Sequence, residues 1–328
     1  PEGRDIVRQL MKTADIVVEN FRPGVLEAWN LDPTNLQEDN PNLIYARISG
    51  YGQTGPYAEK PGFASACEAI SGFRFVNGYP GEAPVRPNLS LGDTVSGLHA
   101  VIGILMALRA KDRAAEQGIN GGQVVDVALY ESMFNLLEAV IPEYDGAGVV
   151  RKPSGTTVTG IVPTNTYQCA DGKFLVIGGN GDSIFTRLMQ ALGRADMAED
   201  AKYTTNADRV TYEQEIDQVL ASWCSSLPLD EAMSILESSR VPCGPVYSAV
   251  EMMDDEHFKY RGLFEQVEIN GEPLKLPAMM PKLAGTPGGT DWPGPEVASH
   301  TDEILAGIGL DRATITALKS SGVVADSH

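Results

Sequence analysis

The stretch at residues 90–113, "SLGDTVSGLHAVIGILMALRAKDR", puts one carboxylate, Asp93, between a glycine and a threonine just ahead of a long apolar run. Two chemistries suit an acid there. Aspartate at a helix start caps backbone N–H groups and favours the positive end of the helix dipole, together about 1 kcal/mol. A carboxylate flanked by small residues at the mouth of a crevice can instead act as a covalent nucleophile, and Gly92 would let a ligand approach the backbone closely. From the residues alone both readings stand, and the cap is the plainer one.

The other chemistry-bearing patterns are weaker. Gly50-Tyr51-Gly52-Gln53-Thr54-Gly55 fits GxGxxG behind a predicted strand, but Pro56 follows it and "YAEKPGF" has no helical period. Without a helix N-terminus to hold a pyrophosphate, it reads as a glycine loop lining a ligand crevice, not as a nicotinamide site. "IGGNGDSIF" is a second glycine cluster and reads as a tight turn, with Asp182 or Ser183 as the cap of the next helix. His99, His257, His300 and His328 show no zinc-protease spacing, and no GxSxG elbow is present. Cys67, Cys169, Cys224 and Cys243 form no CxxC pair. Neither a metal site nor a disulfide framework is therefore expected, and a reducing, cytoplasmic location fits.

The elements that must position these residues follow from periodicity. "GRDIVRQLMKTA" reads as a helix feeding a short apolar strand, "DIVVEN", that ends at Asn20. Leu43 to Ile48 reads as a second strand leading to the glycine loop. Residues 123–129 read as a third, running into a helix from about Glu131. Strands alternating with helices predict an α/β fold, a Rossmann-like large domain with a mostly parallel sheet, whose ligand crevice lies at the strands' C-terminal ends. Those ends carry Asn20-Phe21-Arg22-Pro23-Gly24 and Gly50-Tyr51-Gly52. Leu98, Val101, Ile102, Leu105 and Met106 predict an apolar helical stripe behind Asp93 that runs to about Lys111. Residues 141–166 are rich in Gly, Pro and Thr with no helical period, so a functional loop or linker is expected there. Strand, turn and helices over 167–240 predict a smaller α+β domain. Residues 241–328 read as a return connection and two terminal helices, the first capped by Thr301. The chain starts without Met, apparently inside a helix, so a preceding segment is expected.

Length and composition set outer bounds. At 328 residues two domains are expected. Ordinary globular usage, with no window of 18 to 20 uninterrupted apolar residues, reads as a soluble protein without a membrane partner. Lys plus Arg number 25 against 44 Asp plus Glu, a net charge of −19, which repels nucleic acid and anionic membrane at long range. An anionic ligand would need Arg and Lys gathered locally.

Taken in order, "ADIVVENFRPGVLEAWNL", "NPNLIYARISGYGQTGPYAEKPGF", "LGDTVSGLHA", "GGQVVDVALYES", "RVPCGPV" and "HTDEIL" resemble the motifs of the family III CoA-transferases over nearly the whole chain. The resemblance implies an interlocked homodimer whose large domain is built from both ends of the chain. It implies an N-terminal Rossmann strand and helix ahead of the first motif. It implies acyl-CoA and a small carboxylic acid as substrates, no tightly bound cofactor, and Asp93 as the nucleophile of the "GD" motif. Mixed-anhydride and aspartyl-CoA thioester intermediates go with that role. CoA would be bound at Asn20, Phe21 and Arg22 and along Lys60, Pro61, Gly62 and Phe63. The acid partner is expected to be a dicarboxylate such as succinate, malate or mesaconate, with Arg151, Lys152 or Arg86 as candidates for its second carboxylate. A shielding loop would fall within "SGTTVTGIVPTN".

Two departures matter. "LEAWNL" lacks the further basic residue that some members carry, and Ala64 leaves unfilled the acid or base common just after the Pro-Gly segment. The related racemases need a histidine base there, and none lies between residues 51 and 98. CoA transfer is therefore favoured over the alternatives, an acyl-CoA racemase or a non-catalytic acyl-CoA-binding protein.

Overall fold

Residues 44–49 are almost wholly buried on both faces, as expected of a strand flanked on each side by another strand and covered by helices. The computed structural model describes residues 1–326; His328 lies outside them. From the N-terminus run α1 (Glu2–Thr13), β1 (Ile16–Glu19), α2 (Val25–Ala28), α3 (Pro33–Asp39) and β2 (Ile44–Ser49). They are followed by α4 (Ala64–Ile70), α5 (Phe73–Val76), α6 (Leu91–Glu116), β3 (Gln123–Ala128), α7 (Leu129–Phe134) and α8 (Val140–Ala147). The three strands form a parallel sheet in the order β1-β2-β3, with Ile44 opposite both Ile16 and Gln123. A core of Val17, Leu26, Leu31, Leu36, Leu43 and Tyr45 closes one side. The mixed α/β fold with a parallel sheet is thus as the sequence predicted. β1 is an edge strand of this sheet, and Val18 is exposed.

The chain divides into two compact units. One joins Pro1–Gly78, Glu82–Pro153 and the chain from Gly294 onward; the other holds Tyr79–Gly81 and Ser154–Pro293. In the second, strands Thr164–Gln168, Phe174–Gly178 and Cys243–Pro245 pair antiparallel. The helices Asp182–Ala191, Glu213–Ser225 and Leu229–Ser238 pack on a core that includes Leu175, Ile177, Leu188 and Leu220. A hairpin, Phe264–Ile269 with Glu272–Pro277, belongs to the same unit. Asp182 does not cap its helix: Gly181 holds that position and the Asp182 carboxylate pairs with the buried Arg209 guanidinium at 2.8 Å. Thr301 is likewise the first helical residue and not the cap, which is His300. The segment from 141, expected to be irregular, begins inside α8, because Ile141, Tyr144 and Ala147 allow two turns before Gly148 ends them in a left-handed conformation.

The largest difference concerns α6. It spans 26 residues, five beyond the expected Lys111, and contains an 18-residue window of mean hydropathy 1.6, long and apolar enough by length and composition to cross a bilayer. Its predicted apolar stripe does not face this chain's sheet. Leu98, Val101, Ile102, Leu105 and Met106 are all more than half exposed, and the residues turned inward are small: Gly92, Ser96, Ala100 and Ala107 are buried. A Cβ on Gly103 would sit 2.7 Å from a Val125 methyl, so the helix lies close on β3. Periodicity located the stripe correctly, but the sheet took the other face, where small side chains permit a closer approach.

The glycine pair that follows α6 is a condition of this packing. A Cβ on Gly121 would lie 2.5 Å from Lys111 Cα, and one on Gly122 would lie 2.4 Å from the Pro41 carbonyl oxygen. Both obstacles are fixed parts of the fold, so neither can swing away. Gly122→Ala is expected to force β3 off β2 and lower stability by about 1–3 kcal/mol in denaturant titration, although Ala is otherwise the easier residue to order.

Candidate active site

Because β1, β2 and β3 are parallel, their C-terminal ends lie along one edge of the sheet, and α6, which connects β2 to β3, returns its N-terminus to that same edge. Gly50 leaves β2 there. Its carbonyl accepts from the Cys67 thiol at 3.2 Å and from the Tyr130 N–H at 3.3 Å, tying α4 and α7 to the strand end. Gly50 and Gly62 meet backbone to backbone: a Cβ on Gly50 would lie 3.1 Å from Gly62 Cα. Tyr51 packs between Tyr57 and Tyr130, with ring centroids 5.9 Å from each, beside a cavity of about 510 Å³ that these three rings help line.

Asp93 stands in the first turn of α6 as its third helical residue, and Ser90 occupies the cap position without a side-chain hydrogen bond. The expectation that Asp93 itself caps the helix is therefore corrected. The N–H of Gly92 is taken instead by Glu68 Oε1 of α4 at 3.2 Å. Glu68 is fully buried, and its other oxygen accepts from Arg74 Nη2 at 2.9 Å and Nε at 3.2 Å. Arg74 also donates to Ser65 Oγ at 2.6 Å, as Arg86 does at 3.3 Å. A buried carboxylate needs such a partner, and the pairing offsets its desolvation. The helix start is thus capped from a neighbouring helix, and Asp93 is left exposed with its carboxylate uncommitted to the backbone. Gly92 fits tightly here, since a Cβ would lie 3.2 Å from Ala64 Cβ. Burial, and after it the carboxylates of Asp93 and Glu68, push the Cys67 thiol up to about 11, so Cys67 stays protonated at neutral pH.

The strand-end motif after β1 has its own support. Glu19 is buried and accepts from Arg47 Nε of β2 at 2.6 Å, while Arg47 Nη1 donates to Glu27 Oε1 of α2 at 2.7 Å. Arg47 holds the Glu27 carboxyl below the usual carboxylate range. The second oxygens of the two acids then take the N–H groups of Phe21 at 2.7 Å and Gly24 at 3.0 Å, which fixes the loop between them. Phe21 meets Trp29 edge to face at 5.8 Å beside a cavity of about 740 Å³ that also touches Val18 and Leu31.

Asn20, Phe21 and Arg22 are therefore exposed on a braced loop at the end of β1, and Lys60, Pro61 and Phe63 are exposed on the segment packed over the end of β2. Lys60 Nζ lies 3.5 Å from the centroid of the Tyr57 ring. Gly62 and Ala64 connect that segment to Gly50 and Gly92, and so to the helix turn that carries Asp93. The two groups expected from the sequence to bind CoA thus sit on adjacent strand ends with separate supports. Sequence reading missed Glu68, Arg74, Glu19 and Arg47. Their signal was present: an acid inside the small-residue run "ASACEAI", and charges inside β1 and β2, each require a buried partner. Among the described residues no group of His, Cys, Asp and Glu is arranged to hold a metal ion.

Glu68→Ala should strand Arg74 without its counter-charge and cost about 3–5 kcal/mol in equilibrium unfolding. Glu68→Gln, which keeps an acceptor for the Gly92 N–H, should cost clearly less. Equal losses would show that the hydrogen bond to Gly92 contributes nothing.

Comparison with known proteins identifies the family. The family model described as CoA-transferase family III matches residues 1–301. The chain is 39% identical over 327 residues to the succinyl-CoA–D-citramalate CoA-transferase of Chloroflexus aurantiacus, covering 99% of this chain and 80% of that protein. It is 30% identical to the succinyl-CoA:mesaconate CoA-transferase of Haloarcula marismortui, covering 95% and 78%. A CAIB/BAIF family protein from Brucella suis superposes with a TM-score of 0.77 at 31% identity, over 94% of this chain and 79% of that one. The chain belongs to CoA-transferase family III and is a CoA-transferase.

Proposed function

We propose that this enzyme moves CoA between an acyl-CoA and a dicarboxylic acid, with Asp93 as the covalent nucleophile. The observation that carries the reading is the division of labour at the start of α6: Glu68 takes the cap, and the Asp93 carboxylate faces solvent at the strand-end edge, uncommitted. The relatives' names supply the acid class, since they pair succinyl-CoA with citramalate and mesaconate.

The chemistry needs no ATP and no net proton. A carboxylate oxygen of Asp93 attacks the donor thioester carbonyl, and the C–S bond breaks to give a mixed anhydride and CoA thiolate. The thiolate attacks the aspartyl carbonyl and releases the donor acid as its carboxylate, which leaves an aspartyl-CoA thioester. The acceptor carboxylate then displaces the thiolate to form a second anhydride. Attack of the thiolate on the acceptor's acyl carbonyl yields the new acyl-CoA and regenerates Asp93. Asn20, Phe21, Arg22 and Lys60 to Phe63 hold CoA in this reading, Phe21 offering an apolar face and Arg22 a phosphate partner.

Incubation with acyl-CoA followed by hydroxylamine should convert Asp93 to a hydroxamate, detected by peptide mass. Asp93→Asn should lower turnover by about a thousandfold or more and change stability by less than about 1 kcal/mol. Full turnover by Asp93→Ala would sink the assignment.

The interlocked homodimer belongs to the same proposal. It rests on α6, whose outward apolar stripe of Leu98, Val101, Ile102, Leu105 and Met106 is more than half exposed in the single chain, a face that a second chain would cover. Light scattering should give twice the chain mass, and Leu105→Glu with Met106→Glu should abolish it. A wild-type monomer at micromolar concentration would contradict the dimer.

A further inference from the structure

We infer that Arg86 binds the distal carboxylate of the dicarboxylic acid and so sets the enzyme's acid specificity; this rests on the proposed role of Asp93. In a chain of net charge −19, a second carboxylate needs a cation placed for it. Several cations of this unit are already spent. Arg151 is paired with Glu143 through two hydrogen bonds. Arg74 is paired with the buried Glu68. The Lys152 ammonium lies over the Phe75 ring, 5.2 Å from its centroid, and keeps its charge, but it is a point charge without the planar fork that matches a carboxylate.

Arg86 differs from Arg151 and Arg74 because each of its hydrogen-bond acceptors is neutral. Its Nε donates to the Pro87 carbonyl at 3.2 Å, Nη2 to the Leu89 carbonyl at 3.4 Å and Nη1 to Ser65 Oγ at 3.3 Å. A guanidinium has five N–H donors, so one on each terminal nitrogen is left for a carboxylate. The three neutral contacts fix the plane of the group without cancelling its charge.

Position supports the same reading. Arg86 lies on the loop that leads into α6, seven residues ahead of Asp93, and its contact with Leu89 folds that loop back towards the helix start. Ser65 follows Ala64, which packs against Gly92, the neighbour of Asp93. A short diacid with one carboxyl reacting at Asp93 has its second carboxylate only a few bonds away. Arg86 is exposed, so its replacement spares the core.

The test uses the full-length protein and succinate as the acid, measured by exchange of labelled succinate into succinyl-CoA. Arg86→Gln should raise the succinate KM by about ten- to a hundredfold, while the inhibition constant of desulfo-CoA stays put. Arg86→Lys should restore part of the loss, because it keeps the charge but not the two-pronged geometry. An unchanged succinate KM, or a desulfo-CoA constant that rises in step with it, overturns the assignment, and so does a wild type that exchanges no succinate. Hydroxylamine trapping on wild type separates the failures: no hydroxamate at Asp93 removes the nucleophile, whereas a trapped Asp93 with an unmoved KM removes Arg86 alone.

Discussion

One buried contact, the hydrogen bond from the Gly92 N–H to Glu68, organises the end of the molecule where chemistry is placed. Every helix start leaves backbone donors without partners, and the first turn of α6 sits where a local side chain would normally supply one. Ser90 does not, and had Asp93 done so its carboxylate would be occupied. By drawing the acceptor from α4, the fold satisfies the donor and locks two helices together. The cost is a fully buried carboxylate, and Arg74 is the compensation that makes it tolerable.

The same device recurs at β1. Glu19 and Glu27 share Arg47, and their second oxygens take the backbone N–H groups of Phe21 and Gly24. In both places an arginine beneath the surface neutralises acids whose remaining valences hold a loop or a helix turn. Rigid mounts of this kind spare a binding surface the cost of ordering a mobile loop at each encounter.

The strands were readable because continuous apolar runs between turn residues leave few alternatives, and the order of motifs was readable with them. Whether Asp93 caps its helix was harder to read. Local pattern allows the cap, and what displaces it is Glu68, twenty-five positions away, which no local window includes. The facing of α6 was not legible for a related reason. Periodicity identifies a stripe but not what covers it, and Ala100, Gly103 and Ala107 carry too little hydrophobicity to announce that theirs is the face against the sheet. The caps at Asp182 and Thr301 failed by a single residue, the margin at which helix ends are ordinarily ambiguous.

The small-residue seam beneath α6 has a mechanical consequence. Gly103 lies ten residues from Asp93, about 15 Å along a rod that does not readily bend. Held close on β3 at Gly103 and pressed near its far end by Gly121, the helix transmits any change of clearance along its length. One added methyl under the middle of the rod would therefore tilt its tip, and the placement of a surface carboxylate is governed by side chains that no ligand ever reaches.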